Sequence, residues 1–305
     1  QRQMCIRDRA NTTGVQNEAI GYYAMCSNTE GGCNVAIGSA LQSNTTGGQN
    51  VGIGFIALSN NTTGGCNIAV GRSALQENTT ASYNTAVGFN SLKTNITGAG
   101  NTGLGYRSLE LTTGDNNTGL GYEAGAANAG GDNNTAVGKS ALCKNTTGSS
   151  NVAVGISALF ANTTASNNTA VGKSALTSNT TGCRNVAVGC GALLSNVNDN
   201  DNTGVGFGVL VNSSGQSNTA VGSSALNSNT TASSNTAVGY YALEANTPGI
   251  QTDSGVGTFS DLEMGNHPAI GGMDNYYNFM SLPTLVPYAN TSSGSGNSGY
   301  GYGYG

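Results

Sequence analysis

The sequence has no tryptophan, a single histidine (His267), four prolines and a charged fraction of only 8%. One histidine in GNHPAI, with no acid or nucleophile paired to it, supplies no general base, so it reads as a turn residue and no enzyme is expected. The formal net charge is −5 and no basic cluster occurs, which argues against a nucleic-acid footprint. No apolar run approaches the roughly 18 residues of a membrane-spanning helix. The G-x-G words, such as GVGFG at 204–208, lack a following helix and an acidic partner, so they are not phosphate loops. No cofactor is implied.

What is abundant is small and polar: Asn, Thr, Ala and 48 glycines. Such a composition alone would suit a disordered linker. Its order says otherwise. Residues 134–150 read NTAVGKSALCKNTTGSS and residues 151–167 read NVAVGISALFANTTASN. Anchored on the glycine of the AVG word, fifteen copies run from Gly21 to Gly257 at spacings of 16 to 18 residues.

Each anchor is preceded at one residue by Val, Ile or Leu and at two residues by Ala or Gly. Four residues before it stands an asparagine: Asn17, Asn34, Asn50, Asn67, Asn84, Asn101, Asn117, Asn134, Asn151, Asn168, Asn185, Asn202, Asn218 and Asn235, with Asp253 closing the row. Leu usually follows the anchor by four residues, and a second Asn, opening Asn-Thr-Thr, by seven.

Seventeen residues are too few for a two-helix repeat. Stacking one full helix per coil, about 10 Å wide, on strands about 4.8 Å apart would force strong curvature. The expected fold is therefore all-β, a parallel β-solenoid (β-roll) of about fifteen 16–18-residue coils over 10–257; a strand plus a short helical turn at S-A-L-x-x-N is the alternative. Asparagines repeated in register are expected to hydrogen-bond along the stack as cross-β ladders do. Alternation along the strand puts Thr135 and Val137 on one face and Ala136 and Gly138 on the other. If the Thr/Val face lines the interior with Leu142, the invariant Ala/Gly face lies outside and a sister chain approaches it, predicting lateral association into a homo-oligomer. The competing reading is that Ala/Gly fits a narrow interior.

The words NVAIG (34–38) and NVAVG (151–155) resemble the head repeats of trimeric autotransporter adhesins of the YadA-like type, and the NTAxGxxAL repeats of phage tail-fibre and other surface fibre proteins. The resemblance covers most of 11–257 and implies a trimer of parallel β-rolls serving as an extended adhesion or surface structure. Self-association as trimer or filament, glycans or cell-surface ligands as partners, and an extracellular, cell- or virion-surface location are the expectations that follow. The repeat here is longer than that family's, and no heptad stalk or anchor barrel accompanies it.

Several clusters are candidate sites. The second asparagine row creates N-x-[ST] acceptors at Asn11, Asn44, Asn61, Asn78, Asn95, Asn145, Asn162, Asn179, Asn212 and Asn229, a candidate glycan edge whose alternative is turn chemistry. Further sequons lie at Asn60, Asn116, Asn133, Asn167 and Asn290. NVNDNDN offers Asp199 and Asp201 as weak Ca²⁺ candidates against a solvated turn. Cys26/Cys33 and Cys183/Cys190 are each seven residues apart and could bridge within a coil, the alternative being that they are small buried residues. Stacked threonines also raise an ice-binding face. With Asn145 and Thr147 on one side and Thr146 on the other, the T-x-T alternation such a face favours is missing. Residues 1–9, QRQMCIRDR, are similar to a translated sequencing adapter and are set apart from the repeat, the expectation being that they are an artefact. Residues 258–290 carry the larger apolar side chains and are expected to cap the solenoid or assist assembly, with a flexible Gly/Ser/Tyr tail at 291–305.

Overall fold

The computed structural model describes residues 10–244. The leader 1–9, the fifteenth copy with Asp253 and Gly257, the segments 258–290 and 291–305, His267 and Asn290 lie outside the described residues. Within 10–244 the chain is a parallel β-solenoid. Fourteen three-residue strands, β1 (Glu18–Ile20) to β14 (Thr236–Val238), stack in sequence order in one sheet. Register follows the repeated word: Thr135, Ala136 and Val137 pair with Val152, Ala153 and Val154 one coil on.

The described residues contain no helix, so the strand-plus-helical-turn alternative is set aside. Past each corner glycine the backbone instead alternates in handedness: Gly138, Ser140 and Leu142 have φ of 122°, 55° and 50°. A helix would spend these N–H groups inside the segment. Here they bond to neighbouring coils. The Ser140 N–H donates to the Tyr122 carbonyl below and the Leu142 N–H to the Ala158 carbonyl above, both at 2.9 Å. A leucine in the left-handed region costs about 1–2 kcal/mol, yet the same φ recurs from Leu41 to Leu243. Burying the leucine side chain returns about 1.5–3 kcal/mol, and the inter-coil bond adds to it.

The strand faces are the reverse of the expected ones. Ala136, Ala153 and Ala170 are buried, whereas Thr135 and Val137 are partly exposed and Val171 and Val238 are exposed. The Ala/Gly face lines the narrow interior, stacked with the Ala-Leu word (Ala141, Leu142), and the Thr/Val face looks out. Small residues there reflect lack of room inside, not a neighbour outside.

Four strands carry glycine instead of alanine at the inward position, and each meets an altered neighbour. A Cβ on Gly103 would lie 2.6 Å from Ser91 Oγ, and one on Gly119 2.5 Å from Ser108 Oγ. Both hydroxyls donate to the glycine carbonyl across the coil boundary, at 2.9 and 2.8 Å. Gly204 faces Val209 Cγ1 at 3.0 Å, and Gly52 faces Ala40 Cβ at 3.1 Å in a coil shortened after Gly38. Interior volume is thus conserved coil by coil, as close packing requires.

The core is a column of Ala and Leu, with Met25 at its start, divided into two clusters. The break falls where Gly125 stands in the leucine place, between Leu109 and Leu142.

Candidate functional site

Two asparagine rows run through the interior. In the strand-edge row each asparagine bonds the coil below through its backbone N–H and the coil above through its side-chain oxygen. Asn151 donates its backbone N–H to Asn134 Oδ1 at 3.0 Å, its Oδ1 accepts the Asn168 N–H at 3.0 Å, and its Nδ2 donates to the Ala165 carbonyl at 2.8 Å. This Oδ1-to-N–H pattern continues from Asn17 to Asn235, including Asn34, Asn101, Asn185 and Asn218.

The second row links amide to amide. Asn162 Nδ2 donates to Asn145 Oδ1 at 2.8 Å, and its own Oδ1 accepts from Asn179 Nδ2 at 3.1 Å. Asn162 Nδ2 also reaches the Ala165 carbonyl at 3.0 Å, so both rows clasp one carbonyl per coil. Gly64 and Gly148 are clasped in the same way, by Asn50 with Asn61 and by Asn134 with Asn145.

This geometry corrects the glycan edge. Asn44, Asn61, Asn78, Asn95, Asn145, Asn162, Asn179 and Asn229 are buried, and Nδ2, the atom that would carry a sugar, is donated inside the coil. Asn11 is exposed, with Nδ2 donating to the Gly14 carbonyl at 2.8 Å. Asn212 is exposed because the row's place in its coil is taken by Ser213, which is buried. Among the further sequons, Asn60, Asn116, Asn133 and Asn167 face outward.

The second row is interrupted twice, at Thr112 and Ser213, each in a coil one residue shorter than its neighbours. The physical consequence is direct. Asn95 Oδ1 and Asn196 Oδ1 lose the amide above them, and with Thr112 Oγ1 and Ser213 Oγ they are buried without a hydrogen-bond partner.

Other candidates separate. Asp201 does not join Asp199: its carboxylate is gripped by Arg184 of the coil below, at 2.6 and 2.8 Å, which holds its pKa below the usual range. Asp199 is largely buried, which raises its pKa, and no group of three or more metal-ligating side chains forms among the described residues. Cys26, Cys33, Cys183 and Cys190 are free thiols, exposed except for the half-buried Cys183, so they neither bridge nor serve as small buried residues. Within the coil they occupy four different places; Cys26 Sγ faces the Gln42 carbonyl and Cys33 Sγ faces Gln16 Oε1. Burial raises the Cys143 thiol. On the Asn-Thr-Thr edge Asn145 points in and both Thr146 and Thr147 are exposed, while the Thr146 hydroxyl donates to the Thr163 carbonyl at 2.9 Å. No helix among the described residues is long and apolar enough to cross a membrane.

What remains open to a partner is the outer face, formed by the Thr/Val side chains expected to line the interior. It has three parallel columns. One is Thr, Val or, at β4, Ile68 at the strand start, with Glu18 opening β1, and one is Val, Ile or Leu at the strand end, exposed at Ile37, Val87, Leu120 and Val205. The third follows the corner glycine: Tyr22, Ser39, Phe55, Arg72, Phe89, Tyr106, Tyr122, Lys139, Ile156, Lys173, Cys190, Phe207, Ser223 and Tyr240. Along it Arg72 lies over the Phe55 and Phe89 rings, Phe89, Tyr106 and Tyr122 stack at 5.4 and 5.0 Å, and Lys139 lies over Tyr122.

Comparison with protein-family models, curated proteins and solved structures finds no match to this chain.

Proposed function

We propose that the chain is the shaft of an extracellular structural fibre or adhesin at a cell or virion surface. It is non-catalytic, and it associates laterally with copies of itself as a trimer or filament. The observation that supports this reading is the outer face: columns of Thr/Val/Ile and Val/Ile/Leu side chains on all but the first strand, with β1 opening on Glu18. Soluble monomers rarely expose a contiguous apolar strip of that extent. Fourteen strands at about 4.8 Å make a stiff stack roughly 60 Å long, held by nearest-neighbour terms, a suitable spacer. Glycans, if the source adds them, belong on the exposed sequons Asn11, Asn60, Asn116, Asn133, Asn167 and Asn212.

The test is sedimentation of the purified chain with electron microscopy of the same sample. Rod-shaped trimers or filaments are expected. A soluble monomer of 30.4 kDa overturns the reading and leaves a monomeric ice- or carbohydrate-binding solenoid, which thermal hysteresis and glycan titration would then separate.

A further inference from the structure

The aromatic column shows, where one of its gaps is filled, what the same gap elsewhere accepts. Between Phe55 and Phe89, two coils apart, the Arg72 guanidinium carbon lies 5.9 and 5.6 Å from the two ring centroids. Between Tyr22 and Phe55, also two coils or roughly 10 Å apart, the corresponding residue is Ser39, too short to fill the gap. The same coil has lost one residue after its corner glycine, and Gly38 has a φ of 93° against 131° at Gly54 and Gly71. A small residue and a tightened turn together leave a surface cleft lined by Tyr22, Ser39, Phe55, Ile37 and Ile53, with glycines 21, 38 and 54 alongside. Tyr22, in the first coil, has its ring on Tyr23 at 4.1 Å and is 60% exposed; Phe55, with Arg72 over it, is 58% exposed, so both rings have surface to offer a ligand.

We infer that this cleft is a docking site for an arginine side chain of a partner polypeptide. A planar, weakly hydrated guanidinium can stack on two aromatic faces at once, as Arg72 does in the next gap along the same column. Charge favours the same occupant: the chain carries a net −5, and Glu18, the one charged residue on any described strand, faces outward in the coil of Tyr22. A gap of the same type recurs at Ser223 between Phe207 and Tyr240, 66% and 73% exposed, in a coil without the shortened turn. The site goes beyond the fibre reading, but Ile37 and Ile53 of its lining also belong to the strand-end column, so monomeric and assembled chain are tested separately.

The test is a titration of the full chain with capped Gly-Arg-Gly and Gly-Lys-Gly peptides at equal ionic strength, read on assigned aromatic ring resonances. Both the assembled and the monomeric fractions are titrated. The arginine peptide is expected to shift Tyr22 and Phe55 and to bind at least about fivefold more tightly than the lysine peptide. Ser39→Arg, which places an arginine where Arg72 already shows the geometry, is expected to abolish both shifts, and Tyr22→Ala to weaken the Phe55 shift at least about threefold. Both changes are on the surface, and their melting curves and sedimentation should match the parent, which separates this result from any failure of self-association. Equal response to the two peptides in both fractions, or shifts that survive Ser39→Arg, overturns the proposal. So does tighter binding of a neutral methyl glycoside at the same rings, because the occupant is then carbohydrate.

Discussion

Two stretches of the same stack solve the same problem differently. From Asn134 to Asn196 every coil has an inward Ala, an inward Leu and both asparagine rows, and the inside alone holds neighbours together. Around the coils that open at Asn101 and Asn117 the interior lapses twice. Thr112 interrupts the second row, and thirteen residues later Gly125 stands in the leucine place, where a Cβ would lie 2.7 Å from Leu109 Cδ2, and the core divides. The outside is correspondingly better tied there. Phe89, Tyr106 and Tyr122 stack across this seam, while Arg107 bridges Glu110 at 2.5 Å and Glu123 of the next coil at 3.1 Å. In a stack stabilised by nearest-neighbour terms, a weak interface is a weak point of the whole. Surface ion pairs contribute little each, so the seam is the expected first site of local opening.

The largest effect should come from breaking the regular run. Asn151→Ala leaves the buried Asn168 N–H without its acceptor and removes one of the two donors to the Ala165 carbonyl. An unsatisfied buried donor costs about 1–3 kcal/mol, and the lost bonds add to this, so about 3 kcal/mol is expected in urea denaturation. A loss below about 1 kcal/mol would mean that the continuous row is not what secures these coils.

Next is the interior fit at the seam. Gly119→Ala brings a Cβ to 2.5 Å from Ser108 Oγ and 2.8 Å from Leu109 Cγ. Overpacking of this kind costs about 1–3 kcal/mol. Ser108→Ala in the same chain should recover most of it, since Ala-Ala is the arrangement of the regular coils. Additive losses in that double-mutant cycle would sink the volume-compensation account. A smaller loss, about 1 kcal/mol, is expected for Tyr106→Ala, which cuts the stack over the seam. Its mark should be faster amide exchange over residues 109–128, and Ile156→Ala in the regular run should not produce it.

Much of this was legible in the repeat. A period of 17, Asn and Gly at fixed places and a recurring Leu specify strand, corner and inward leucine before any coordinates. The inward and outward strand faces were not, because Ala and Gly suit a crowded interior and a crowded interface equally. The deciding signal was nonetheless present: among the fourteen described strands glycine replaces alanine at 52, 103, 119 and 204, alongside Ser91, Ser108, Val209 or the shortened turn before Ala40. That covariation makes sense only if the two words touch inside one tube. The left-handed leucines left no trace in composition, since leucine has no preference for that region; the inter-coil bonds impose it. The second asparagine row looked like sequons because a buried amide ladder and a glycan acceptor spell the same Asn-Thr-Thr, and the shortened coil moved Asn212 one place out of register.

The smallest effect is a gain. Thr112→Asn places an amide under Asn128 and above Asn95, so its Nδ2 can donate to the orphaned Asn95 Oδ1 and its Oδ1 can accept from Asn128 Nδ2, which now donates only to the Gly131 carbonyl. One recovered buried hydrogen bond is worth about 0.5–1.5 kcal/mol. The gain should sit at the low end, because the coil is short: Gly114, whose carbonyl accepts from Asn101, lies two residues beyond position 112 where the regular clasp needs three. A rise in melting temperature with slower exchange at the seam is the expected outcome. If Thr112→Asn is neutral or destabilising, the turn length and not the side chain sets the break. Adding one threonine between Thr113 and Gly114 in that variant should then restore the clasp and, with it, the stability of a regular coil.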